Sequence, residues 1–124
     1  HVELNETPEE AAVREVNEEV GLDVTIWRGN KKDVPQPFPE EQDLYHELIP
    51  PAFMNVHKIT DEHRHISLAY FASATTDEII EPDNHERSGG CRWLTKQELL
   101  AADDVDEATK YYALNALVML HSYE

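Results

Sequence analysis

Apolar positions along the chain fall into segments of two periods. In residues 8–20, "PEEAAVREVNEEV", Val13, Val16 and Val20 recur at spacings of three and four with Ala12 beside them, which predicts an amphipathic helix. Both ends are marked. Thr7 is a good N-cap, Pro8 occupies the first helical position where a missing N–H costs nothing, and Glu10 stands three residues after Thr7 as in a capping box. Gly21 supplies a left-handed stop. Residues 22–27, "LDVTIW", then predict a strand. Residues 52–59 and 63–75 predict two more, joined through "TDEH" as a hairpin. Residues 91–94, "CRWL", predict a short strand. Thr95 with Glu98 starts a second helix, and residues 106–123 form a C-terminal amphipathic one. Between the first and second strands, Pro35, Pro37 and Pro39 alternate in a long polar stretch that neither helix nor central strand accommodates. Residues 77–90 read as loop with room for a short strand. Helix, strands, helix is an α/β (α+β) order, and 124 residues suit a single domain.

Charge changes the picture. The chain carries 26 acidic and 10 basic residues, a net charge of −16. Such a surface repels nucleic acid and anionic membrane, both polyanions, so neither is expected as a partner. Phosphate chemistry on this chain needs cations as intermediaries. One cysteine, Cys91, permits no internal disulfide and points to a reducing compartment, the cytoplasm. No apolar run approaches the roughly 20 residues of a membrane span, and no signal-peptide pattern opens the chain.

The first helix holds the candidate chemistry. Glu15, Glu18 and Glu19 lie three and four apart, crowding like charges onto one face at a cost in helix stability. A solvated acidic face is the plain reading of such a cluster. Arg14, four residues before Glu18, and Gly21, which stops the helix just past the cluster, favour an arranged site. Clustered carboxylates hold hard divalent cations, and two cations clamp the attacking and leaving oxygens of a phosphoryl displacement.

Residues 1–22, "HVELNETPEEAAVREVNEEVGL", resemble the Nudix box, G-x5-E-x7-R-E-U-x-E-E-x-G-U with U aliphatic. Glu6 matches the first glutamate, Arg14 and Glu15 the R-E pair, Val16 the aliphatic position, Glu18 and Glu19 the E-E pair, and Gly21 with Leu22 the close. The opening glycine would fall just before His1, and the family's first strands precede its box. The expectation is therefore a single, N-terminally incomplete domain over 1–124. The resemblance implies an α/β/α sandwich around a mixed sheet whose N-terminal strands are missing here. It also implies Mg²⁺ or Mn²⁺ on Glu15, Glu18 and Glu19, with Glu6, Arg14 and Gly21 supporting the box. The implied reaction is hydrolysis of a diphosphate linkage in a nucleoside diphosphate joined to another group. Family members are often homodimers, so a homodimer is implied too.

Many family members add a carboxylate from a loop before a "W" strand. Here "EPDNHERSGGCRW" offers Glu86 in that role, as metal ligand or general base, with Glu81 second, and Glu18 as a catalytic carboxylate on the helix itself. A proline some fifteen residues past the box accompanies ADP-ribose hydrolysis in the family, and Pro37 lies at that distance from Leu22. Pro37, Phe38 and His65 are thus candidate substrate contacts. Trp27, Phe38 and Tyr45 flank the long loop and could stack on a base, or simply pack. His57, His63 and His65 sit on the hairpin, as a polar strand face, a metal site or a phosphate contact. The resemblance leaves Cys91 no nucleophilic role. A Nudix-fold nucleotide-binding or regulatory module without catalysis is the alternative, and degenerate box glutamates would be its mark.

Overall fold

The computed structural model describes residues 1–29, 35–41, 43–80 and 90–121. Helix α1 (Pro8–Val20) has the ends its sequence dictates. The Thr7 side chain accepts the Glu10 N–H at 3.3 Å, while Glu10 returns to the Thr7 hydroxyl (3.0 Å) instead of its N–H, so the box closes through side chains. Gly21 takes φ +71° and donates its N–H to Asn17 O at 2.9 Å.

Strand β1 (Val24–Ile26) is shorter than the six-residue run in the sequence. It pairs antiparallel with β4 (Ala72–Ala74), Thr25 opposite Ser73. The hairpin is β2 (Phe53–Thr60) and β3 (His63–Ala69), with His57 opposite His65 and an irregularity between Lys58 and Thr60. The single strand predicted over 63–75 is thus two. The chain leaves β2 after Ala69, and Phe71 O accepts the Trp27 N–H at 2.7 Å, handing the ladder to β1. Among the described residues the sheets are these two antiparallel pairs. Residues 91–94, predicted as a strand, form no strand among the described residues, and Trp93 donates its indole N–H to Asp77 O at 2.7 Å. Helix α2 (Lys96–Ala101) has the full Thr95–Glu98 capping box, and α3 (Glu107–His121) ends the fold. Among the described residues of the proline-rich stretch, only Pro39–Glu41 forms a regular element, a short 3₁₀ turn.

The core lies behind α1. Ala11, Leu22, Ile26, Ile49 and Phe71 are buried there. Phe71 and Phe53 then link it to α3, since Phe53 packs its ring 5.9 Å from Phe71, 5.9 Å from Tyr111 and 5.6 Å from Tyr112. The val stripe of α1 is only half-buried.

The helix stop is structurally demanding. A Cβ on Gly21 would stand 2.8 Å from Ile80 Cβ and 3.1 Å from its carbonyl oxygen. Ile80 also donates its N–H to Val20 O at 2.8 Å, so it cannot retreat without losing that bond. Gly21→Ala should cost roughly 1–2 kcal/mol from the left-handed backbone alone, and more from the clash. The urea midpoint should fall with an unchanged slope; an unmoved midpoint would show that the junction relaxes freely.

Candidate active site

The helix fans Glu18, Glu15 and Glu19 over roughly 100° of its surface, with Glu15 between the other two. Arg14 organises what surrounds them. Its Nε and Nη2 bind Glu6 at 3.0 and 2.9 Å, Nη1 binds Glu18 at 3.1 Å, and Nη2 also donates to the His1 carbonyl at 2.9 Å. Glu3 and Glu15 each lie 3.7 Å from the guanidinium. Glu6 completes the tie by accepting the Glu3 N–H at 2.8 Å. The segment before the helix is thereby fastened to the face that carries the carboxylates, and the guanidinium offsets part of their repulsion.

These contacts set the protonation behaviour. The Arg14 hydrogen bond holds the Glu6 carboxyl below its ordinary value of 4.5, helped by the Glu3 N–H. Arg14 is pushed up, first by Glu6. A carboxyl that binds protons less readily when folded stabilises the fold above pH 4.5, and that stability is lost as pH falls through the lowered native value. Arg14→Met should therefore flatten the acid limb of a stability–pH curve. An unchanged limb would assign acid unfolding to other carboxylates.

Glu15, Glu18 and Glu19 fit a hard cation by donor chemistry. They are oxygen-only ligands on long side chains sharing one face, and the Glu19 side chain makes no hydrogen bond or ion pair with another described residue. Among the described residues, no three ligating side chains already converge on a single point. Glu15 also lines a cleft of about 560 Å³ between Pro8, Ala11 and Ala12 of α1 and Arg64–Leu68 of β3, a size that suits a small-molecule ligand. His65 lies along this β3 wall.

The structure does not bring Pro37 and Phe38 to that cleft. Phe38 instead meets Tyr45 edge-on at 5.1 Å, exposed on the surface. Glu81 and Glu86 lie outside the described residues.

Sequence reasoning missed three residues. Arg64, which lines the cleft and has no ion-pair partner among the described residues, had no motif to mark it. Glu9 reads as an ordinary first-turn acid, yet it is buried and accepts the Ile49 N–H at 3.4 Å. Tyr70 donates its hydroxyl to Ile49 O at 3.3 Å; burial and then the Glu9 charge raise its phenol. Ile49 is thus held on both sides of its backbone, a long-range contact that no local pattern announces.

A helix–loop carboxylate face packed beside antiparallel strands matches known proteins. The family model for the NUDIX domain matches residues 1–114. A hydrolase of the NUDIX family from Clostridium perfringens superposes with a TM-score of 0.74 at 31% sequence identity, covering 97% of this chain and 77% of that one. A comparison with curated proteins finds no match. The chain belongs to the NUDIX family. Within it, the chain is a Nudix hydrolase.

Proposed function

We propose that this Nudix hydrolase cleaves the diphosphate linkage of a nucleoside diphosphate joined to another group, ADP-ribose or a related conjugate, with Mg²⁺ or Mn²⁺. The observation that carries this reading is the Arg14-braced face of Glu15, Glu18 and Glu19 opening at Glu15 onto the cleft. Bound there, the cation would neutralise diphosphate charge and make a water acidic enough to attack. Glu15 and Glu19 hold the cation. Glu18 or Glu86 takes the proton as the water oxygen forms a bond to one phosphorus. The P–O bond on the far side then breaks, and its electrons leave with the second phosphate. Glu6, Arg14 and Gly21 keep the glutamates in place. His65, on the β3 wall of the cleft, serves the phosphate side.

The domain acts in the cytoplasm on a small nucleotide, as a homodimer in the manner of many relatives. Among the described residues no helix is long and apolar enough to cross a membrane. The test is Mg²⁺-dependent release of nucleoside monophosphate from a panel of nucleotide conjugates. Turnover of ADP-ribose above the others supports the substrate reading. Tight binding of the panel with no turnover would favour the binding-module alternative.

A further inference from the structure

The hairpin carries a second cluster of ligating groups, chemically unlike the first. Alternation along paired strands places Asn55, His57, His65 and Ser67 on one face, with His63 two residues from His65 on the same side. The His57 and His65 rings, directly opposite each other, have centroids 5.8 Å apart, and His63 and His65 are 4.7 Å apart. All three are exposed among the described residues.

His57 is also oriented. Asn55 gives its amide Nδ2 to the Tyr112 hydroxyl of α3 at 2.7 Å, which turns its Oδ1 toward His57 Nδ1 at 2.9 Å. An amide oxygen only accepts, so the neutral imidazole donates from Nδ1 and keeps its lone pair on Nε2. A hydrogen bond from one ring nitrogen to a fixed acceptor is how proteins present the other nitrogen to a metal.

We propose that His57, His65 and His63 form a site for a borderline divalent transition ion, Zn²⁺ above all, separate from the carboxylate face. Imidazole suits Zn²⁺, Ni²⁺ and Cu²⁺, whereas Mg²⁺ prefers oxygen. Imidazole nitrogens about 2.0–2.1 Å from a tetrahedral Zn²⁺ put neighbouring ring centres roughly 5 Å apart. The His57–His65 and His63–His65 separations lie on either side of that figure, while His57 and His63 make no ring contact with each other. The three rings do not yet converge, and rotation of the exposed His63 and His65 side chains closes the site around the oriented His57. The ion and a phosphate compete for His65.

The experiment is calorimetric titration of the metal-free protein with ZnCl₂ in excess Mg²⁺, which occupies the carboxylate face. One Zn²⁺ should bind per chain, and His57→Gln and His65→Gln should each weaken it at least about 10-fold. Asn55→Ala, which frees the His57 ring, should weaken it roughly 10–100-fold. In parallel, Zn²⁺ but not Mg²⁺ should shift the His57 and His65 ring resonances in NMR, with His57 in its Nδ1–H form. No Zn²⁺ binding above the Mg²⁺ background would overturn the proposal. So would binding that both histidine variants retain but Glu19→Gln loses, because the ion would then sit on α1.

Discussion

Glu19→Gln should leave a folded protein whose kcat is lower by roughly 10²–10³, the several kcal/mol that metal-ion catalysis supplies at about 1.4 kcal/mol per tenfold. The amide is nearly isosteric with the carboxylate but lacks the charge that holds a hard cation. Glu19 is the right residue to change because it is exposed and its side chain makes no hydrogen bond or ion pair among the described residues, so little structure depends on it. Removing one of three crowded charges should leave the metal-free melting temperature level or slightly raised. MgCl₂ should raise the wild-type melting temperature beyond NaCl of matched ionic strength, and Glu19→Gln should lose most of that gain. Wild-type turnover by Glu19→Gln at saturating Mg²⁺ would remove this residue from the metal site.

Glu86→Gln should lower kcat by roughly 10²–10⁴, the range for a positioned general base. Mg²⁺ affinity without substrate should change far less than in Glu19→Gln, because the helix ligands remain. Glu81→Gln on the same substrate is the control. If that variant is the impaired one, the loop carboxylate is Glu81. If neither is impaired, the proton goes to Glu18 or Glu15 of the helix or to a residue upstream of His1.

How much of this was visible in the sequence follows from the range of each interaction. Thr7, Pro8, Gly21 and the Thr95–Glu98 pair act on their own turns, so residue type and spacing placed both helix starts and the first stop. The Arg14–Glu18 contact is an i,i+4 neighbour and equally local. The Arg14–Glu6 pair spans eight residues and became legible only through the box pattern. Beyond that range the reading failed. Residues 63–75 are uniformly strand-like, and nothing in them says that Ala69 still answers β2 while Ala72 answers β1. "CRWL" has strand-forming residues, but pairing depends on a neighbour elsewhere in the chain, and the Trp93 indole bonds to a loop carbonyl instead. Glu9 was unreadable for the same reason, since its partner Ile49 is 40 residues away.

The Arg14 hub carries a lesson for how the box would respond to mutation. One guanidinium serves Glu6, Glu18 and the His1 carbonyl together, so its partners are thermodynamically coupled. Changes at Glu6 and Arg14 will not add: once the arginine is gone, removing Glu6 deletes a contact that no longer exists. Residue-by-residue scanning would therefore count the same interaction several times, and would rank Glu6 beside Glu19 though the two do different things. Only the double-mutant cycle separates the residues that hold the cation from those that hold the holders.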